Sequence, residues 1–201
     1  MRLWRKLQRL SLSFGLRTLF AVSASDHSHF DNFFRLFDLP EQFPVDTARL
    51  ESQYKTLQAQ YHPDKVAGGE DAERLQAIQK TSLVNDGYDT LKSPLRRAAY
   101  LLKRQGVDPE EHNQAHFGED FLMHQLMLRE ELETLFASED MDGLEGLKRQ
   151  VGQDRDAALD RFQAQFDQQD FPGAKRTYNQ MQFLDKLLTE IDTVEEKLLD
   201  Y

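Results

Sequence analysis

The chain has 201 residues, 39% hydrophobic and 30% charged, with only ten glycines and six prolines, which favours helices with wet faces over a turn-rich β fold. The net charge of −10 is uneven: residues 1 to 25 hold Arg2, Arg5, Lys6, Arg9 and Arg17 and no acid, so +5 sits there and −15 on residues 26 to 201. That acidic body lacks the basic footprint of nucleic-acid binding, and the absence of cysteine excludes disulfides, thiol catalysis and cysteine-ligated metal.

Residues 1–28 form a basic leader outside the fold. In MRLWRKLQRLSLSFGLRTLF, Leu3, Leu7, Leu10 and Phe14 recur at helical spacing, with the basic residues mostly elsewhere. Two readings stay open. One is an organelle-targeting presequence, which places the protein in the mitochondrial matrix; the other is a start codon set too far upstream in a bacterial frame, which leaves it cytoplasmic. Arg17 interrupts the apolar stretch of a secretory signal. No run of roughly 18 uncharged apolar residues exists to span a membrane, so no membrane partner is expected.

The first folded region spans 29–104. Phe30, Phe33, Phe34 and Phe37 predict a short helix ending before Pro40, because the residue before a proline disfavours helical angles. Asp46 is placed to cap the next helix, in which Leu50, Tyr54, Leu57 and Tyr61 make one apolar stripe. That helix stops at His62, since Pro63 lacks an amide hydrogen and restricts its predecessor. A second long helix is predicted from about Asp71 to Leu91, with Leu75, Ile78, Val84, Tyr88 and Leu91 as core. Two helices of similar length joined by a short loop pack antiparallel, which puts His62-Pro63-Asp64 at an exposed hairpin tip. SPLRRAAYLLKRQG adds a short helix, with Pro94 at its first position and Gly106 as its stop.

Residues 105–118 are polar and read as a linker. His112 and His116 are four apart, but Pro109 and the polar surroundings do not support a helix to hold a metal, and no metal site is expected. In residues 119–201, FLMHQLMLREELETLF predicts a helix with two apolar sides. Phe121, Leu128, Leu132 and Leu135 share one face, while Leu122, Met123, Leu126 and Met127 lie nearly opposite, with Glu130 beside them. Such a helix is either covered on both sides or carries a binding face, and a methionine-bearing patch suits an adaptable partner surface. A sparse stripe of Leu144, Leu147, Val151, Ala158, Phe162 and Phe166 follows. The last helix begins near Pro172 with Ala174, Tyr178, Met181, Leu184, Leu188, Ile191 and Leu198 in line, and Phe183 falls off that stripe. The expected fold is all-α: an antiparallel hairpin with short flanking helices, then a C-terminal three-helix bundle. No phosphate-binding loop, nucleophile elbow or metal cluster is present, so neither an enzyme nor a cofactor is expected.

A hairpin with His62-Pro63-Asp64 at its tip resembles the J domain of DnaJ-type co-chaperones. The words FRLFDLP, YHPDK, VNDGYDTLKSPLRRAAYLL, FLMHQLMLREEL, FLDKL and EEKLLDY narrow this: residues 29 to 201 resemble the HscB family, J-type co-chaperones of iron–sulfur cluster assembly. The resemblance implies docking of the hairpin on a DnaK/HscA-type chaperone whose ATPase it accelerates. His62 and Asp64 would supply polar contacts, Pro63 their geometry, and Lys55 and Lys65 positive charge that steers encounter. It implies contacts to an IscU-type scaffold protein from Leu122, Met123, Leu126 and Glu130, with Met127 in the same patch and Phe183 on a neighbouring helix. Met127 and Thr134 stand where glutamates are common in bacterial relatives, so either this contact is more apolar and less charge-assisted here or the local scaffold differs. Gly87 stands where alanine is common, which costs up to about 1 kcal/mol of helix propensity and predicts a looser second hairpin helix. A general J protein with another client would show the same hairpin, and the scaffold-facing residues would have to tell the two apart.

Overall fold

A computed structural model describes residues 32–62, 64, 71–110 and 119–199, which fold as seven helices with no strand among them. The expectations for residues 1–28, Pro63, Lys65, His112 and His116 fall outside the described residues. The helices are α1 (Phe33–Leu36), α2 (Thr47–Tyr61), α3 (Asp71–Lys92), α4 (Pro94–Arg104), α5 (Glu119–Ala137), α6 (Met141–Asp167) and α7 (Phe171–Leu199).

Local chemistry sets most of the boundaries. Asn32 caps α1 through the Phe34 amide (2.8 Å), and Asp46 caps α2 through the Arg49 amide (3.0 Å). Ser93 caps α4, with Pro94 just inside the helix, and Gly106 (φ 75°) ends it while the Val107 amide returns to the Leu102 carbonyl. The two bundle corners use one device twice. Glu139 and Gln169 take left-handed φ values of 53° and 61°, and the aspartate that follows caps the next helix. Asp140 accepts from Gly143 and Asp170 from Gly173. These corners are therefore tight, and α5, α6 and α7 run antiparallel in turn.

α2 and α3 form the expected hairpin. Tyr54 stacks on Tyr88 at 4.0 Å, and its hydroxyl donates to Asn85 (3.1 Å). The face that α3 buries differs from the expectation. Val84 and Leu91 are buried and Tyr88 half-buried, but Leu75 and Ile78 are 56% and 55% exposed, while Ala77 and Gly87 lie inside. The inner stripe is Ala77, Val84, Tyr88, Leu91. At 100° per residue, Leu75 sits about 160° and Ile78 about 100° from Ala77, so neither can share it. In α7 the stripe runs through Leu184, Leu187 and Ile191, with Leu188 half-buried at its edge.

The hairpin and the bundle share one hydrophobic core. Phe43, in the loop before α2, packs on Phe162 of α6 with ring centroids 4.7 Å apart. Arg97 of α4 is buried beneath them: one guanidinium nitrogen donates to the Leu91 carbonyl (2.6 Å), closing the end of α3, and the group lies 5.1 Å from the Phe43 ring. Residues 105–110 hug this surface. Val107 packs on the core, Pro109 is buried, and the Tyr178 hydroxyl reaches Glu110 at 3.5 Å.

Candidate functional site

Two surfaces carry the residues singled out in the sequence. The first is the hairpin tip. α2 runs out at Tyr61, whose carbonyl accepts from the Thr81 hydroxyl of α3 (2.9 Å), while the Lys80 ammonium lies 5.1 Å from the Tyr61 ring. The final turn is thus tied down, and His62 leaves it in extended geometry (ψ 129°), as a residue before proline must. The side chains of His62 and Asp64 are 56% and 89% exposed. The Asp64 amide donates to His62 Nδ1 at 3.2 Å, and the Asp64 carboxylate lies 3.4 Å from the same nitrogen. The Asp64 carboxylate nevertheless stays largely in solvent. Asp64 can then meet a cationic group on another molecule, where a charge-assisted hydrogen bond is strongest.

Lys55 stands seven residues before His62, two turns back on the same side of α2, about 10 Å along the axis. Its ammonium bonds Glu51 at 2.7 Å. That hydrogen bond, with the glutamate's charge, raises the Lys55 pKa and lowers that of Glu51. Part of the positive charge expected here is therefore answered within the helix.

The second surface is the outer face of α5. Leu128 and Leu132 point inward and are buried, with Leu135 beside them. On the other side Leu122, Met123, Leu126 and Met127 are 48%, 58%, 51% and 62% exposed, and Glu130 and Thr134 are exposed with them. The sequence leaves open whether this side is covered; among the described residues nothing covers it. Phe183 lies apart from that face, in the seam between α7 and α5. It meets Phe121 edge-on (5.8 Å, 86°), and the Arg129 guanidinium lies 5.7 Å from its ring. Sequence reasoning missed Arg129 in this role. It also missed His124, whose Nε2 lies 3.3 Å from the Asp154 carboxylate of α6 and helps hold α5 to the bundle. Histidine at i+3 from Phe121 was the available signal, because it shares that residue's inward side. Among the described residues no cluster of three or more histidine or acidic groups is placed to hold a metal, and no helix is long and apolar enough to cross a membrane.

A capped helical hairpin that exposes a His62–Asp64 turn, fused to a three-helix bundle with one uncovered apolar face, defines a J-type co-chaperone with a C-terminal helical arm. Comparison with known proteins gives the family. The family model for the HSCB C-terminal oligomerisation domain matches residues 118–192. Chaperone HscB from Vibrio cholerae is 39% identical, with 83% of this chain covering 99% of that one at a TM-score of 0.76. Human co-chaperone protein HscB is 29% identical over 81% of each chain, also at 0.76. The Jac1 co-chaperone of Saccharomyces cerevisiae, at 24% identity, shares the fold with a TM-score of 0.64 over 81% of this chain and 92% of that one. The chain belongs to the HscB family of J-type co-chaperones of iron–sulfur cluster assembly.

Proposed function

We propose that this co-chaperone holds an IscU-type iron–sulfur scaffold protein on its C-terminal arm, residues 119–201, and presents it to a DnaK/HscA-type chaperone through its J domain, residues 29–104. The observation that carries this reading is the α5 face left uncovered among the described residues: Leu122, Met123, Leu126 and Met127 stay exposed on one side of a helix whose opposite side buries Leu128 and Leu132. Leu122, Met123, Leu126 and Met127 supply the apolar contact, Glu130 a charged edge, and Phe183 a half-buried ring at the seam. The second face of the molecule, His62, Pro63 and Asp64 with Lys55 and Lys65 nearby, docks on the chaperone and accelerates its ATP hydrolysis. Both contacts in one chain raise the effective concentration of scaffold at chaperone. The protein then does no covalent chemistry of its own, and neither metal nor cofactor enters its action.

Two measurements test this. Alanine at Leu122, Met123 and Leu126 together should weaken scaffold binding by about tenfold or more, since losing even one hot-spot contact costs about 2 kcal/mol. Unchanged affinity would assign the arm to another client. In single-turnover ATP hydrolysis by the chaperone, His62→Gln should abolish stimulation while leaving scaffold affinity intact.

A further inference from the structure

The outer face of α5 is set in negative charge. At 100° per residue, Glu130 and Glu133 fall on the same side as Leu122 and Leu126, so carboxylates bound the apolar stripe at its C-terminal end. Glu131 lies beside Met127, and Arg129 is the one lysine or arginine on the helix. A surface of this kind fits a short amphipathic segment with apolar residues three and four apart, bases beside them and no acids. The chain carries such a segment itself. Leu3, Leu7, Leu10 and Phe14 have that spacing, and Arg2, Arg5, Lys6, Arg9 and Arg17 surround them. A second copy of α5 is a poorer partner, since its own carboxylates would face these and each chain carries −10. Length is no obstacle. Residues 18 to 31 can span up to about 46 Å, more than the roughly 43 Å axis of α7, the longest helix described.

We propose that the basic leader, residues 2–17, docks on the outer face of α5 and competes there with any client, so that its removal or displacement frees the face. The docking rests on charge and apolar complementarity; its regulatory meaning rests on the reading of α5 as the scaffold-binding face.

Met123 and Met127 report occupancy directly. The full-length protein and its Leu7→Glu/Leu10→Glu variant are pulsed with dilute hydrogen peroxide at low ionic strength, and sulfoxide at each methionine is followed by mass spectrometry. At an effective concentration on the order of 1 mM, a contact with Kd of about 0.3 mM would cover the face about three-quarters of the time. Met123 and Met127 should then oxidise about fourfold more slowly in the wild type, while buried Met181 oxidises equally in both. Equal rates at Met123 and Met127 overturn the docking, whatever the client. Protection that grows with protein concentration assigns the face to a second copy and overturns it too. In a parallel titration the variant should bind scaffold about fourfold more tightly. Protection without that gain overturns the competition, whereas a failure of the α5 alanine variants to weaken scaffold binding strikes only the functional reading above.

Discussion

Gly87 shows how one residue can look like a defect in the sequence and a fit in the structure. Helix propensity alone favours alanine by about 1 kcal/mol. Yet a Cβ at this position would lie 3.0 Å from Phe33 Cδ1 and 3.0 Å from Phe37 Cε2, tighter than ordinary contact. Phe37 is completely buried and has nowhere to retreat, while Phe33 is half-buried and stacked on Tyr100 at 4.8 Å. Glycine here lets α1 press its two rings onto α3. Overpacking typically costs ~1–3 kcal/mol, which meets or exceeds the propensity gain. Gly87→Ala should therefore lower stability by about 1 kcal/mol, read from the urea midpoint at unchanged slope. In a Phe33→Leu background the same change should turn neutral or stabilising, because the flexible side chain can yield. Additive effects in that double-mutant cycle would show that the rings and the glycine are not coupled.

At the scale of elements, the two sides of α5 should respond to truncation in opposite ways. Leu128 is buried between α5 and the rest of the bundle, so Leu128→Ala should cost about 2–5 kcal/mol. Leu126, one position pair away, is half in water, and Leu126→Gln should change stability by no more than about 0.5 kcal/mol while still disturbing partner binding. Thermal melts of the two variants decide it; a large loss for Leu126→Gln would mean that the outer face is part of the fold. Most elements could be read from the sequence because their signals are local. Asp46, Ser93-Pro94 and Gly106 mark helix ends by chemistry confined to one turn, and Leu50–Tyr61 and Leu144–Phe162 keep one period throughout. The failures are of another kind. Hydrophobicity alone places Leu75 and Ile78 in the core, yet they miss the stripe that small Ala77 occupies, and nothing local announces that an alanine will be chosen over a leucine. The double face of α5 was legible as a pattern, but its outcome was not, since coverage depends on where α6 and α7 lie. The Phe121–Phe183–Arg129 seam and the His124–Asp154 contact join residues far apart in sequence, and only the packing of the bundle brings them together.

The whole molecule is tied by two polar junctions with opposite pH behaviour. Glu41 accepts from Asn32 Nδ2 (2.6 Å) and from Arg104, linking the cap of α1 to the end of α4. Burial pushes its pKa up, but the hydrogen bonds from Arg104 and Asn32 and the charge of Arg104 outweigh that and leave it lowered. A carboxyl with a folded pKa below its unfolded one stabilises the fold above the unfolded value, near 4.5, and this is lost as pH falls through the folded value. Tyr178 is the reverse case. Burial, then the charge and hydrogen bond of Glu110, push its pKa up to about 12 from 10.0. The protonated phenol is favoured in the fold, so its contribution is complete below about 10 and drains away as pH rises through about 12. The two groups sit on different seams, one inside the hairpin region and one where residues 105–110 cross the bundle, and Phe43, Arg97 and Phe162 join those seams through a continuous core. Stability measured by urea titration across pH should accordingly show an acid limb that Glu41→Gln flattens and an alkaline limb that Tyr178→Phe flattens. Lys148, bonded to Asp192 and Glu195 with its pKa raised, adds to the alkaline limb and keeps it from vanishing. Because the core is shared, far-UV and near-UV signals should still unfold together at either end of the pH range. Separate midpoints would mean that the hairpin and the arm are held by their own cores, with Phe43 and Phe162 touching but not coupling them.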